Sequence, residues 1–177
     1  MRSLIAIEYV SVDGVMENPV WTSPYFNEEV GAFQRDQLFA SDGLLLGRVT
    51  YQGMAAAWPT VRDTDGFAER INGLPKYVAS RSLQPTEWNT RLLRGDLVEA
   101  VGELKQQAGQ NVLIYGSGEV VNTLMAHQLI DEYHLLVHPL VLGRGKQLFT
   151  GGNQVALSLV ASQITQTGVV LLTYRPQ

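Results

Sequence analysis

Three short, largely apolar runs in this chain are each followed at once by residues suited to binding an anion. The runs cover residues 44–46, 76–79 and 112–115, and each has the length and composition of a buried strand. Two of them lead through Gly47 and Gly116 into predicted helix starts, and the third leads into a Ser-Arg pair. Ligands of open α/β sheets bind beyond the carboxyl ends of the strands, so the chain is predicted to be an α/β protein with a ligand site along one edge of its sheet.

The rest of the pattern divides the chain near residue 131. Before it, strand-type runs alternate with amphipathic segments; after it, strand-type runs follow one another with few helical signals. The other predicted strands are residues 4–12, 133–142, 155–164 and 168–174. Four helices are predicted: residues 28–39, a helix that begins near residue 50, residues 97–108 and residues 119–127. Residues 41–43 are expected to end the first helix, and Asp96 is expected to cap the third.

Composition narrows the classes to which the chain can belong. Its 177 residues, 45% apolar and 17% charged, suit a single globular domain over residues 1–177. The net charge of −4 makes a general nucleic-acid binder improbable, because phosphate backbones need a basic face. The absence of cysteine excludes disulfides and thiolate chemistry. No secretory signal pattern and no membrane-spanning stretch is present, and we expect a cytoplasmic protein.

The segment Gly47-Arg48-Val49-Thr50 carries the first anion signal. A glycine lets backbone approach a ligand, a helix N-terminus offers unpaired N–H groups, and a guanidinium offers a fork of donors to phosphate. The alternative is an ordinary helix start with Thr50 as its cap and Arg48 in solvent. Ser80-Arg81 suits a monoester phosphate such as the 2′-phosphate of NADP, and the alternative there is a surface arginine.

The segment Gly116-Ser117-Gly118-Glu119 has the context of a pyrophosphate loop, after a strand and before a helix. It lacks the third glycine of the dinucleotide fingerprint, because Val121 stands at that position, and no acidic residue is clearly placed about twenty positions later. A standard Rossmann site is therefore excluded. A glycine-rich anion loop remains, with a tight strand-to-helix turn as the alternative.

In their order along the chain, these motifs resemble the dihydrofolate reductase superfamily, in particular the stand-alone relatives of the riboflavin-biosynthesis reductase domain. The likeness covers nearly the whole chain, and its best signature is residues 46–51, which are similar to the family's Gly-Arg-x-Thr-aromatic motif. Further similar segments are residues 3–6, 12–18, 78–81, 114–118, 138–145 and 148–149. The resemblance implies a three-layer α/β/α fold with a mixed, mainly parallel central sheet and an antiparallel C-terminal part.

The resemblance also implies NADPH as the cofactor, and it implies which residues would contact each part of that molecule. The adenosine half and its 2′-phosphate would be held by residues around the first two motifs, namely Gly47, Arg48, Thr50, Ser80 and Arg81. The pyrophosphate would lie on the second glycine-rich loop, formed by Gly116, Ser117, Gly118 and Glu119. The nicotinamide would lie near the first strand and its loop, at Ala6, Val12, Asp13 and Gly14. Hydride transfer needs mainly orientation, electrostatics and exclusion of water, so the lack of an acid–base triad does not exclude it.

Two carboxylates are candidates for catalysis. Glu29 stands four residues before Phe33, which resembles the spacing around the substrate-binding acid of dihydrofolate reductases, with glutamate in place of aspartate. Its oxygens would hold the N–H groups of a pterin-like or pyrimidine-like ring; the alternative is a solvated glutamate on a helix face. Asp13 is the rival, and its alternative is a turn residue before Gly14.

Two loops are expected to supply further substrate contacts. Trp21 and its aromatic neighbours would stack on a flat heterocycle, or else pack in the core or at a dimer contact. Arg144 would bind a substrate phosphate, or else lie in an exposed turn. His134 and His138 share a strand face, but no third ligand stands at a metal-site spacing, so we expect no metal.

The sequence therefore predicts an NADPH-dependent reductase of a small planar heterocycle of pterin, folate or riboflavin-pathway pyrimidine type. One alternative is a non-catalytic nucleotide- or ligand-binding protein with the same fold, and another is a structural dimer building block. The expected partners are a small-molecule substrate and a second copy of the chain, but neither nucleic acid nor membrane. The homodimer is expected because the β-rich end would otherwise leave an apolar sheet edge uncovered.

Overall fold

An eight-stranded sheet with helices on both faces organises the computed structural model, which describes residues 1–84 and 87–177. The strands in chain order are β1 (Leu4–Ser11), β2 (Ser41–Gly47), β3 (Lys76–Ala79), β4 (Thr90–Leu93), β5 (Asn111–Tyr115), β6 (Glu132–His138), β7 (Leu157–Ile164) and β8 (Val170–Pro176). The helices are α1 (Glu28–Phe39), α2 (Arg48–Ala57), α3 (Phe67–Gly73), α4 (Leu97–Gln106) and α5 (Gly118–Ala126). Two 3-10 segments span Pro19–Tyr25 and Trp58–Thr60.

The strands lie in the order β4-β3-β2-β5-β1-β6-β8-β7. The first six strands in this order run parallel to one another, whereas β8 is antiparallel to both β6 and β7. The expected fold class is thereby confirmed, with a mixed, mainly parallel sheet, an antiparallel C-terminal part and a helical layer on each face. Because parallel strands share one direction, the carboxyl ends of β3, β2 and β5 lie side by side, level with Ile7 of β1, and β1 continues beyond them to Ser11. We call this row the carboxyl edge.

Each face of the sheet has its own apolar core. On one face α4 and α5 cover the strands with side chains such as Val101 and Leu124. On the other face α1, α2 and α3 do so with side chains such as Val30 and Ile71. Central strands covered on both faces need consecutive apolar residues, which explains why residues 44–46 are all leucine and fully buried.

The helix starts differ in how their N–H groups are satisfied. The side chains of Asn27 and Asp96 each accept a hydrogen bond of 3.0 Å from the backbone N–H three residues later, at the starts of α1 and α4. The predicted Asp96 cap is therefore confirmed. Helices α2 and α5 begin after Gly47, which has no side chain, and after Ser117, whose side chain makes no capping hydrogen bond. The first-turn N–H groups of these two helices lie at the carboxyl edge and are available to an anion.

The predicted limits of the first helix are confirmed, but the prediction that residues 41–43 form the break after it is wrong. Helix α1 ends at Phe39, and residues 41–43 already belong to β2. Gly43 is needed there for space, because a Cβ at this position would lie 2.8 Å from Cε2 of the Tyr77 ring on β3. A glycine chosen for strand packing was thus mistaken for a turn residue.

Two further boundaries are also corrected. Strand β6 ends at His138, not at residue 142, because the chain leaves the sheet to meet the loop after β1: the Val12 N–H donates to the Leu140 carbonyl at 2.9 Å. Helix α2 begins at Arg48, two residues before its expected start, so Thr50 is not its cap.

Two kinds of feature are absent from residues 1–84 and 87–177. There, no helix has the length and apolar character needed to cross a membrane. In the same ranges, no three His, Asp or Glu side chains gather in a way that could hold a metal ion.

Candidate cofactor and substrate site

The three anion motifs of the sequence meet at the carboxyl edge. Gly47 ends β2, Ser80 directly follows β3, and Gly116 directly follows β5. Neighbouring strands lie about 4.8 Å apart, so the row from β3 to β1 spans roughly 14 Å. A row of this length has room for one extended ligand.

A serine joins two of the motifs directly. The Ser117 hydroxyl accepts a hydrogen bond from the Gly47 N–H at 2.8 Å and donates to the Tyr115 carbonyl at 3.0 Å. Ser117 adopts a left-handed conformation, with φ 61°, to make this link. A Cβ on Gly116 would lie 3.1 Å from the Thr50 hydroxyl. The loops after β2 and β5 are therefore in contact, and the Ser117 hydroxyl serves that contact.

The two uncapped helix starts give this junction a positive character. The N-termini of α2 and α5 bring partial positive charge and free N–H groups to adjacent strand ends. Glu119, in the first turn of α5, points its carboxylate to Lys146 at 2.8 Å, and this hydrogen bond and ion pair lower the Glu119 pKa. The acidic side chain is thus paired outside the junction.

The ends of β2 and β3, the predicted adenosine end, carry exposed arginines. Arg48 is exposed, and its Nη1 donates to Gln52 at 3.3 Å within α2. Arg81 is exposed on the turn after β3. The Ser80 hydroxyl accepts hydrogen bonds from two backbone N–H groups of that turn, those of Leu83 at 3.0 Å and Ser82 at 3.3 Å. Ser80 therefore shapes the turn that presents Arg81.

Asp13 anchors the loop after β1 to a distant loop. Its carboxylate accepts hydrogen bonds from the Ser11 hydroxyl at 2.6 Å, the Leu142 N–H at 3.1 Å and the Gly143 N–H at 2.8 Å. These bonds, the one from Ser11 first, lower the pKa of Asp13 to about 2. At neutral pH Asp13 is consequently a carboxylate without a proton to give.

Glu29 is also held by the protein. Its Oε2 accepts hydrogen bonds from the Asn27 side chain at 2.9 Å and from the Gln166 N–H at 2.7 Å. The carboxylate therefore ties the start of α1 to the turn between β7 and β8. Glu29 is thus more than a solvated helix-face residue, and its partner in the turn was not foreseeable from local spacing.

The aromatic loop packs against the end of β6. The rings of Trp21, Tyr9 and Tyr25 surround buried His138 edge-on, with centroid distances of 5.3, 5.4 and 5.9 Å. The Trp21 indole also donates to the Glu17 carbonyl at 2.9 Å. Trp21 therefore packs against a histidine of the sheet, which is what the packing alternative predicts.

Two cavities flank the Asp13 loop. One has a volume of about 340 Å³ and is lined by Asp13, Arg144 and Lys146, among others. The other has a volume of about 280 Å³ and lies between residues 10–14 and the side chains of Leu135 and Phe149. Exposed Arg144 thus lies beside the predicted nicotinamide end.

The residues expected at the nicotinamide end separate into two groups. Val12, Asp13 and Gly14 do lie in the loop after β1, and Val12 is 63% exposed. Ala6 is fully buried in the middle of β1 and packs in the core beneath α4 and α5. Its cross-strand neighbour on β5 is Ile114, one residue before the end of that strand, so the backbone of Ala6 lies close to the level of the carboxyl edge while its side chain packs in the core.

Two buried polar side chains near the site are not predicted from the sequence. Glu8 on β1 is 1% exposed, its Oε1 has no hydrogen-bond partner among the described residues, and burial raises its pKa well above 4.5. The Tyr115 hydroxyl is likewise buried without a partner there, and burial, then the nearby Tyr9, raises its pKa. A lone acid in the apolar run from Leu4 to Val10 was the available signal for Glu8.

The sheet order and the joined loops define a protein of the dihydrofolate reductase fold class. The chain belongs to the RibD C-terminal domain family, whose sequence model matches residues 2–171. It is similar to YyaP, an uncharacterized protein of Bacillus subtilis (strain 168), with 30% identity over 177 residues, covering 98% of this chain and 94% of YyaP.

Solved structures share the fold at lower identity. A Shewanella sp. PV-4 protein named for riboflavin biosynthesis has a TM-score of 0.81 at 21% identity, with 99% of each chain covered. Dihydrofolate reductase from Enterococcus faecalis, solved in complex with NADP(H), has a TM-score of 0.66 at 16% identity, covering 99% of this chain and 96% of that one. At these identities the likeness establishes the architecture.

Proposed function

We propose that this chain is an NADPH-dependent reductase that delivers a hydride to a small planar heterocycle of pterin, folate or riboflavin-pathway pyrimidine type. The observation that carries the proposal is the junction of two uncapped helix starts, α2 and α5, at adjacent strand ends. Such a junction suits a pyrophosphate, because free N–H groups and two helix dipoles converge on it.

The other contacts follow from the strand order. Arg48 and Arg81 would pair with the 2′-phosphate at the β2–β3 end, with Thr50 and Ser80 beside them. The backbone N–H groups of residues 116–119 would hold the pyrophosphate. The nicotinamide would reach the loop of Val12, Asp13 and Gly14, and NADPH would supply the hydride. The chain's own residues would orient the two rings and exclude water.

Titration with NADPH and NADH, followed by tryptophan or nucleotide fluorescence, tests the cofactor. NADPH should bind more tightly, and Arg48→Ala should weaken NADPH binding by roughly 1.5–3 kcal/mol, the range for charge-assisted hydrogen bonds, with a smaller effect on NADH. Arg62→Ala is the matched control, because Arg62 is exposed and donates to the carbonyls of Pro59 and Val61. Failure to saturate below millimolar NADPH would sink the proposal.

A second candidate is a nucleotide- or ligand-binding protein of the same fold without turnover. It is favoured by the engagement of both candidate catalytic carboxylates, Asp13 with Leu142 and Gly143, and Glu29 with Gln166. Oxidation of NADPH in the presence of dihydropterins, folates or pyrimidinones separates the two. Saturable binding with no oxidation across such a panel would favour the second candidate.

We also propose a homodimer, because the edge strand β7 is uncharged and exposed after Leu157 and would otherwise remain uncovered. The cytoplasm is the compartment proposed for it, because NADPH-dependent reduction uses the reductant pool found there.

A further inference from the structure

Two tyrosine hydroxyls lie near the carboxyl edge, on the face of the sheet that carries α1. Tyr115 is the last residue of β5 and pairs with Ile7 of β1. Tyr9 stands two residues beyond Ile7, and because side chains alternate along a strand, it points to the same face as Ile7. Both tyrosines pack against the apolar core of that face. The two rings are therefore neighbours on adjacent strands.

The Tyr115 hydroxyl has no partner where a buried group needs one. It is buried, and it makes no hydrogen bond within residues 1–84 and 87–177. An unpaired buried polar group destabilises a fold, and a protein retains such groups mainly at functional sites. The rest of the Tyr115 side chain is only partly buried, and Gly116 of the proposed pyrophosphate loop follows directly. The unpaired hydroxyl is thus part of the edge that carries the proposed cofactor site.

The Tyr9 hydroxyl offers a second O–H group beside the first. Its oxygen accepts a hydrogen bond of 3.0 Å from the side-chain amide of Gln34, which is 7% exposed on α1. This bond leaves the Tyr9 proton, for which the described part of the chain supplies no acceptor. Burial raises the pKa of Tyr9 to about 12, and burial, then the nearby Tyr9, raises the pKa of Tyr115. At neutral pH both groups are consequently hydrogen-bond donors.

Three acids stand in the segments around these hydroxyls, and each is committed elsewhere. The Glu29 carboxylate binds the Gln166 N–H, and the Asp13 carboxylate binds the loop that follows β6. Glu8 precedes Tyr9 by one position on β1, so it points to the opposite face of the sheet. An amidine-type N–H edge of a ring needs carboxylate acceptors, whereas this place presents O–H donors.

We propose that Tyr9 and Tyr115 together bind the acceptor edge of a planar heterocycle, a carbonyl oxygen beside a ring nitrogen, and thereby determine which ring the site accepts. Both of those atoms accept an O–H hydrogen bond. An amino group in place of the carbonyl would turn a donor towards a donor and leave both unpaired, which disfavours binding. Tyr25 and Phe33 pack against the same core and give the place aromatic surroundings suited to a flat ring. Calling that ring the substrate rests on the proposed reductase, whereas the hydrogen bonds do not.

Two pteridines test the edge preference in the nucleotide-free protein. Pteridine-2,4-dione carries a carbonyl oxygen beside N5, and 2,4-diaminopteridine carries an amino group there on the same ring system. By fluorescence titration, the wild type should bind the dione at least about tenfold more tightly. Tyr115→Phe should weaken the dione by roughly 3–10-fold, the worth of one hydrogen bond, and leave the diamine unchanged. Tyr174→Phe is the matched control, because Tyr174 packs on the opposite face of the sheet.

Thermal unfolding of the same variants tests whether the Tyr115 hydroxyl is unpaired. Tyr115→Phe should raise Tm by roughly 2–4 °C, because it removes a buried group without a partner. Tyr9→Phe should lower Tm, because it leaves the buried Gln34 amide without its acceptor. A lower Tm for Tyr115→Phe would show that its hydroxyl has a structural partner and would overturn the proposal.

The binding data separate this proposal from the proposed reductase. Equal affinity of the dione for the wild type and Tyr115→Phe, or no binding of the dione below millimolar concentration, overturns the edge preference even where NADPH binds. Loss of the dione preference in Tyr115→Phe supports the two-tyrosine site even where NADPH fails to bind, and in that case only the reductase proposal fails.

Discussion

Glu8 lies in the environment least suited to a free carboxylate. It faces the core beneath α5, beside Val10 and Leu135, and its Oε1 has no hydrogen-bond partner within the described chain. Burial without a partner disfavours the charged form, so the pKa of Glu8 rises well above 4.5. Asp13, only five residues later, has its pKa lowered to about 2 by hydrogen bonds that favour the charged form. Glu8 on β1 therefore keeps its proton to a higher pH than Asp13 in the loop after β1.

Glu8→Gln should make stability less dependent on pH. The folded state holds the Glu8 proton more tightly than the unfolded state, so the wild type loses stability as pH rises from about 4.5 towards the folded pKa. The variant should therefore gain on the wild type by up to about 1.4 kcal/mol per pH unit across that window. Urea denaturation at pH 5 and pH 8 measures this difference. Glu103→Gln, exposed on α4, is the control, and an equal difference at both pH values would contradict the prediction.

At the scale of elements, Gly43 shows how neighbouring strands set each other's side chains. Gly43→Ala should destabilise the protein by about 1–3 kcal/mol, because the new Cβ would meet the buried Tyr77 ring at 2.8 Å. Gly102→Ala, inside α4 with nothing within 4 Å of the new Cβ, should instead be neutral or stabilise by about 0.4–1 kcal/mol. Chemical denaturation of both variants checks the contrast. Equal effects would show that Tyr77 gives way without cost.

The success of the sequence predictions depended on how local the deciding contacts are. Strand β3, helix α1 and the Asp96 cap follow from short-range patterns, and their expected limits or roles are met. Residues 41–43 were misjudged because the Tyr77 ring that requires Gly43 belongs to another strand. Besides their local partners, Asp13 and Glu29 each accept a hydrogen bond from a residue more than a hundred positions away, Gly143 and Gln166, and no spacing rule predicts such contacts. The motifs at the strand ends were visible in the sequence, whereas their adjacency required the strand order.

At the scale of the whole molecule, binding of the proposed cofactor at the N-termini of α2 and α5 should raise the free energy of unfolding. At about 100 times its dissociation constant, NADPH should raise the free energy of unfolding by about 2.7 kcal/mol. Hydrogen exchange should slow most in the first turns of α2 and α5, which lack side-chain caps. The first turn of α4, already capped by Asp96, is the internal control. Uniform slowing over all three helix starts would argue against binding at the α2–α5 junction.

The position of β1 between β5 and β6 has a consequence for how the protein is made. Leu4 pairs with Val112, and Ile5 pairs with Glu132. The first strand therefore cannot pair until segments more than a hundred residues later have been synthesised. Loop-closure entropy makes such distant parallel pairings slow to form. The carboxyl edge therefore comes into being late, after β5 and β6 have left the ribosome. Until then the nascent chain has its glycine-rich motifs but not the strand order that brings them together, and its apolar first strand is unpaired.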